Sequence, residues 1–499
     1  MTSDTQTITL SLVSHTNVGK TTLARTLLAR DVGEVRDAAH VTELADMHEL
    51  MRSPQGDVLQ LWDTPGFGDS ARLVRRMRLE GHPLGWLLME VWDRWRDRAF
   101  WSSQQALRHV RERADVVLYL VDAGQPGAGY LDAEMQLLAW LDKPVLVLLN
   151  QLGAPREAAA EDAELATWRE RLAGHSIVRE VLPLDAFARC WVQEAALWAA
   201  AQRALRAPQS AAMARLAQAW SAQREATFEA AMQALAETLA GVASARQALP
   251  ESGAFTERLR NGVQGALRAL TKNVSDDTTP LARATQALAD AAQAQVREGT
   301  QQLLALHGQR GQAQDQILAR VAQQVALRSK LDEGRAALWG GALSGALLGL
   351  KADLASGGLT LGGGMLVGGL VGALGGAGIA RGVNLVRGAE QSWLGWKDEA
   401  LTPMVHAALL RYLAVAHFGR GRGAWHEGEA PTHWVEVVSQ ALAPHETALA
   451  ALWRQRRQSL DNSGDALHLS AALQPILTEA TRHVLATLYP TTASAVTSP

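Results

Sequence analysis

One cysteine, Cys190, stands among 499 residues, so no intramolecular disulfide framework holds this fold. Its sequence neighbours include no metal-like or triad-like partners, so it reads as structural, and a lone thiol suits a reducing cytosol. Charge of one sign is also lacking. With 48 Lys+Arg against 51 Asp+Glu the net is −3, which leaves no global field to recruit nucleic acid. The opening MTSDTQTITL has neither the basic n-region nor the apolar h-region of a secretory signal, which sets the expectation of a cytoplasmic chain. His426-Glu427-Gly428-Glu429 lacks metalloprotease spacing, and residues 206–335 hold no cluster with metal-ligand spacing.

Against these absences stands ITLSLVSHTNVGKTT, residues 8–22. Alternating β-formers (Ile8, Leu10, Leu12, Val13) run into a turn, and Gly19-Lys20-Thr21-Thr22 opens a helical pattern. Strand, loop and helix in that order are the context of a phosphate-binding P-loop. Backbone N–H groups of Ser14, Asn17, Val18 and Gly19 and of the helix start are the expected phosphate cradle. Lys20 reaches the β- and γ-phosphates in this reading, and the Thr21 hydroxyl serves Mg²⁺, with Thr22 beside it. Ser14 stands where G-x-x-x-x-G-K-[ST] has its first glycine, so the backbone there must suit a residue with a Cβ.

Downstream, residues 41–52 and 58–62 read as a hairpin joined by Pro54-Gln55-Gly56-Asp57. Asp63-Thr64-Pro65-Gly66 follows, offering a carboxylate for Mg²⁺ and a glycine N–H for a γ-phosphate. Thr42 is the candidate switch threonine, serving Mg²⁺ and, with Lys20, catalysis. Residues 69–112 combine Trp86, Trp92, Trp95 and Trp101 with Arg72, Arg75, Arg76 and Arg78. A packed amphipathic insert and a docking element both fit that composition. The apolar runs 114–123 and 143–150 read as central parallel strands, and 175–187 as the last strand. Strands alternating with helices predict a doubly wound, mostly parallel α/β P-loop NTPase domain over 1–205. Asn150 closes the fifth strand where a base-reading N-K-x-D begins, but Gln151-Leu152-Gly153 replaces the lysine and the aspartate. Asp185 and Ala186 fall where a backbone N–H meets the base.

These motifs resemble the Era/TrmE-like branch of P-loop GTPases, within the translation-factor-related class. The likeness rests on N-V-G-K-T-T, the following V-T, D-T-P-G-F-G-D-S and the asparagine at 150, and covers about the first 200 residues. It implies GTP/GDP and Mg²⁺ as ligands, with K⁺ at Asn17 as a further one. It also implies slow turnover helped by potassium or self-association, since Phe67 stands where other GTPases carry a glutamine. Gly153 leaves guanine against adenine open; a loop N–H, water, Asp185 or Glu161 are the substitutes for the missing carboxylate. The whole chain also resembles a proteobacterial family that joins such a domain to a helical domain of unassigned activity.

From about residue 206 the pattern turns helical, with apolar residues at i, i+3, i+4 and i+7. A stalk or bundle is expected over 206–335, with one helix from Pro280 to about Lys330 in which Gly308 and Gly311 are the points able to bend or interrupt it. Residues 336–382 form an apolar glycine-rich hairpin in this reading. Gly341, Gly345 and Gly349 recur every four residues, as do Gly364, Gly368, Gly372 and Gly376. Such spacing permits close helix packing in membranes. The 15 uncharged residues between Arg335 and Lys351 are fewer than the ~20 of a full span. A shallow membrane hairpin, a buried glycine zipper and a loop therefore stay open. Helices are expected again over 383–490 (about 383–416, 432–460 and 467–488), before a polar tail at 491–499. The predicted whole is a nucleotide-dependent switch at or near the inner membrane. A switch without membrane insertion, whose helical domain binds a protein, is the alternative; nucleic acid is the least favoured partner.

Overall fold

The computed structural model describes residues 5–16, 18–28, 46–78, 98–152, 158–185, 191–248, 280–308, 383–387, 392–417, 433–458 and 464–489. The chain divides into two compact units, one built mainly on residues up to 226 and the other on most of 227–487.

The first unit is an α/β sandwich. Its six-stranded sheet has the order β2-β3-β1-β4-β5-β6, from β1 (Thr7–Ser14), β2 (Asp46–Arg52), β3 (Val58–Asp63), β4 (Val116–Asp122), β5 (Val145–Asn150) and β6 (Val178–Pro183). All neighbours run parallel except β2 and β3, the expected hairpin, whose residues 41–45 lie outside the described residues. Period-two alternation explains both faces. Val117, Tyr119 and Val121 enter one core, while Val116, Leu118 and Leu120 enter the other. Helices α1 (Lys20–Leu28) and α6 (Trp191–Ala204) cover the second face. The first face carries α2 (Ser70–Met77), α3 (Arg98–Arg113), α4 (Leu131–Leu141) and α5 (Ala158–Leu172). Of the expected 69–112 insert, α2 and α3 are seen to pack on the sheet, whereas Trp86, Trp92 and Trp95 lie outside the described residues.

The second unit is mainly helical: the later part of α7 (Gln209–Ser244), then α8 (Pro280–Leu306), α9 (Asp398–His417), α10 (His433–Leu442), α11 (Glu446–Gln458) and α12 (Gly464–Leu488). Helix α8 spans 27 residues, about 40 Å at 1.5 Å per residue, and Gly308 with φ +67° ends it. The expected run to Lys330 is therefore broken at Gly308. A Cβ on Gly299 would come 2.0 Å from Thr238 Oγ1, so α7 and α8 cross at a point where only glycine fits.

A small antiparallel sheet, β7-β9-β8, corrects the helix expected over 383–416, which begins only at Asp398. Its strands are β7 (Arg246–Ala248), β8 (Val383–Arg387) and β9 (Ser392–Trp396). Strand β8 pairs with β9 from Val383↔Trp396 to Arg387↔Ser392, and the aromatic and β-branched residues favour extended backbone. Arg456 of α11 pins the sheet. Its guanidinium donates to the Ala243 and Trp396 carbonyls and to Asp398, so three chain segments share one buried cation. Among the described residues no helix is long and apolar enough to cross a membrane; the glycine-rich stretch 336–382 lies outside them.

In the first unit the β2–β3 turn is tied to α7. Buried Asp57 accepts two bonds from Arg215, at 2.7 and 2.8 Å, with others from Gln6 N–H and Ser53. Chiefly through Arg215, and against opposing burial, its carboxyl is held down from 3.8 to about 2. A depressed carboxylate stabilises the fold above its unfolded pKa and ceases to as pH falls through its folded one. Stability should therefore decline between pH 3.8 and about 2 through this group. Urea titrations at stepped pH check it: Asp57→Asn should be less stable at neutral pH and lack this share of the acid slope. An unchanged slope would refute the assignment.

Candidate functional site

The site lies at the C-terminal edge of β1, β3, β4 and β5, where a parallel sheet leaves its loops and helix starts. Strands β1 and β3 run parallel with Leu12 opposite Asp63, which brings the two motif loops side by side. The Thr64 hydroxyl donates to the Leu12 carbonyl at 2.6 Å, and the Phe67 N–H to the Ser14 carbonyl at 2.9 Å. Gly68 N–H donates to Ser103 Oγ at 3.0 Å, and Asp69 caps α2 by accepting from Arg72 N–H at 2.9 Å. The segment 64–69 is thus fastened at successive points to β1, α3 and its own helix.

Lys20 opens α1 and is buried. Burial pushes its ammonium down, while Asp63 and then Glu134 push it up. Asp63 is buried at the end of β3. Burial raises its carboxyl, opposed by Lys20 and by the Thr21 hydroxyl, which donates to Oδ2 at 2.6 Å. The other oxygen, Oδ1, is buried and has no hydrogen-bond partner among the described residues. An orphaned carboxylate oxygen beside a threonine hydroxyl is a hard-oxygen donor set that fits Mg²⁺. Gly66 faces the same spot: a Cβ there would lie 3.2 Å from Lys20 Nζ and 3.3 Å from Thr16 Cα and Cγ2. The missing side chain leaves this glycine, the lysine ammonium and the Thr16 backbone in close approach.

At the base end, Asn150 is buried and its amide donates to the Val18 carbonyl at 2.7 Å. Gly19 has φ +97°, and a Cβ there would meet Asn150 Nδ2 at 2.8 Å. Asn150 therefore braces the phosphate loop from behind. Asp185, nearly fully buried, accepts the Leu152 N–H at 2.7 Å and so joins the two loops expected to flank a base. Of the sequence-predicted residues, Ser14, Val18, Gly19, Lys20, Thr21, Thr22, Asp63 and Gly66 are gathered at the first loop pair. Asn17, Thr42, Gly153 and Ala186 lie outside the described residues. Phe67 is fully buried in the core cluster that also holds Leu73 and Phe100, so its ring is withdrawn from solvent.

Sequence reasoning missed His15, Glu134 and Tyr119. Glu134 is fully buried; Tyr119 OH donates to its Oε2 at 2.6 Å, and His15 Nδ1 sits 2.7 Å from Oε1. The signal was present: Glu134 is i+3 from Leu131 and i−4 from Leu138, on the apolar face of α4.

Residues 170–474, more than half of the chain, match the family model described as a domain of unknown function, DUF3482. The chain belongs to that family. In this DUF3482 protein residues 9–151 match a second model, 50S ribosome-binding GTPase, so the N-terminal part is a GTPase domain with a GTP hydrolase's machinery. No curated protein matches the sequence. Among solved structures, Aquifex aeolicus Era bound to GDP and AlF4⁻ is 20% identical with a TM-score of 0.31, covering 40% of this chain and 57% of that one. Era with MgGDPNP and a 16S ribosomal RNA segment is 21% identical with a TM-score of 0.28, covering 36% and 52%. A chloroplast translocon GTPase structure (atToc33 and psToc159) is 17% identical with a TM-score of 0.25, covering 38% and 73%. The DUF3482 protein thus spans about half the length of each Era chain.

The Gly19 geometry makes a test that needs no nucleotide. Gly19→Ala should lower the unfolding free energy by at least about 1 kcal/mol, from the left-handed backbone alone. Chemical denaturation of the ligand-free protein measures it, and a neutral substitution would contradict the described loop.

Proposed function

We propose that this chain is a Mg²⁺-dependent GTP-binding switch that hydrolyses GTP slowly, acting in the cytoplasm at or near the inner membrane. The observation that carries the reading is the convergence of Lys20 Nζ and Gly66 beside the Thr21–Asp63 pair, with Asp63 Oδ1 unpartnered among the described residues. Lys20 neutralises charge developing on the γ-phosphate, the Gly66 N–H holds one of its oxygens, and Thr21 and Asp63 hold the cation, joined by Thr42. Bound Mg²⁺ supplies further charge neutralisation to the phosphates. Water is the nucleophile. Buried Phe67 places no polar side chain on it, which supports slow turnover in the absence of a helper. K⁺ at Asn17, or self-association, is the proposed source of help.

For the base, Asn150 and the Ala186 N–H are the proposed contacts, and Asp185 is the proposed carboxylate in place of the one absent at Gly153. Its bond to Leu152 N–H, one residue from Gly153, supports that choice over Glu161. Equilibrium titration with GTP, GDP and ATP analogues tests the set. Lys20→Ala should weaken triphosphate binding and turnover by about 100-fold. Asp185→Asn should cut the preference for GTP over ATP by about tenfold, the worth of one bidentate base contact. Full GTP turnover by Lys20→Ala would overturn the phosphate site, and an unchanged preference would remove Asp185 from the base site.

Contact with the membrane is assigned to 336–382, on its uncharged glycine repeats. The purified chain should float with liposomes, and deletion of 336–382 should abolish flotation while GTP binding persists. Failure of the intact chain to float would leave the alternative, a switch whose helical unit binds a protein.

A further inference from the structure

The helical unit turns positive charge inward without a described counter-charge. Arg411 stands on α9 and reaches α8, where its Nη1 donates to Thr300 Oγ1 at a long 3.3 Å. Its Nε is buried and has no hydrogen-bond partner among the described residues. Burial alone holds its pKa down to about 10, from an ordinary 12.5. Thr300 is buried and gives little in return, since its own hydroxyl donates to the Val296 carbonyl at 2.6 Å. One turn before Thr300, on the same side of α8, Arg297 also has a buried Nε without a partner among the described residues.

Acidic side chains on the same helices do not answer these cations. Asp290 and Glu298 of α8 are exposed, and Asp398 of α9 receives Arg456. The ring contacts beside Arg411 bring no carboxylate: Tyr412 meets Phe228 of α7 edge-on, centroids 5.9 Å apart, and His307 of α8 at 5.8 Å. Two other inward-turned arginines show the ordinary arrangement. Arg215 gives Asp57 two bonds, at 2.7 and 2.8 Å, and Arg456 has three acceptors. A guanidinium shut away from water without such acceptors destabilises a fold, which retains it where something else supplies the oxygens.

Guanidinium groups bind oxyanions through paired N–H bonds. One carboxylate would neutralise half of the charge on two arginines. A phosphate group carries about −1.5 to −2 and several acceptor oxygens, and so matches both. We propose that Arg411 and Arg297 form a site between α8 and α9 for a phosphate-type oxyanion, free phosphate or a lipid headgroup, with Thr300 holding Arg411 in place. The site is separate from the nucleotide reading, and either stands without the other.

The experiment is thermal denaturation of the full-length protein, followed by tryptophan fluorescence. It is run in chloride, in inorganic phosphate at equal ionic strength, and with vesicles of phosphatidylglycerol or phosphatidylcholine. Phosphate also stabilises proteins by exclusion from their surface, and the phosphate loop of the GTPase domain can take it. The reading is therefore the difference between wild type and Arg411→Met. In chloride, Arg411→Met should melt about 2–4 °C higher, because an apolar side chain replaces an unanswered cation. In saturating phosphate the wild type should rise about 3–5 °C more than Arg411→Met if free phosphate is the ligand. A rise confined to phosphatidylglycerol vesicles assigns the site to a headgroup. Arg411→Lys, a point charge without the fork, should keep a smaller rise, and Arg297→Met should shrink it as well. Equal responses of wild type and Arg411→Met to both phosphate sources would overturn the site, whatever nucleotide binding shows. So would failure of Arg411→Met to fold in chloride, since an acidic group of the chain itself would then already answer Arg411.

Discussion

Lys20 is a cation taken out of water, and the first unit is arranged so that this burial is tolerated. A buried charge without a counter-charge costs several kcal/mol, and two carboxylates answer it here. Asp63 arrives because β1 and β3 run parallel with Leu12 opposite it, and Glu134 arrives on the apolar face of α4. Each carboxylate is in turn held by a hydroxyl, Thr21 for Asp63 and Tyr119 for Glu134. Slip the β1–β3 register by one residue and Asp63 changes face, leaving the lysine only one of its two counter-charges. Electrostatics at the sheet's edge and hydrophobic alternation within it therefore specify the same register.

The phosphate end of the site was legible because its residues act through backbone and short spacing. Gly19, Lys20 and Thr21 are adjacent in sequence, and a strand–loop–helix order fixes where they point. The base end was legible only as an absence at Gly153. The replacement proposed for it, Asp185, lies 32 residues further on and meets the loop through a backbone N–H. Glu134 was harder still, since its partners His15 and Tyr119 lie 119 and 15 residues before it. One charged residue on an apolar helix face was the only local mark.

In the helical unit the period of 3.6 was easy to see in α7 and α8 and misleading over 383–397. Five-residue strands are too short for their alternation to outweigh neighbouring helical patterns, although Gly388 between two such runs is a hairpin signal. The end of α8 at Gly308 was readable as an interruption. The crossing at Gly299 was not, because the need for a missing Cβ arises from Thr238, sixty-one residues earlier.

The six-stranded sheet ends on β2 at one side and β6 at the other. Outermost strands offer unsatisfied backbone groups to any passing chain, and natural proteins blunt them with charge. Both margins here carry it: Asp46, Glu49 and Arg52 on β2, with Glu49 and Arg52 paired to each other, and Arg179 and Glu180 on β6. Two copies joined strand to strand would have to bring those charges together and strip them of water. Pairing between molecules is thereby steered away from the sheet's rims and toward loops and helix faces, the parts of this fold that carry its chemistry.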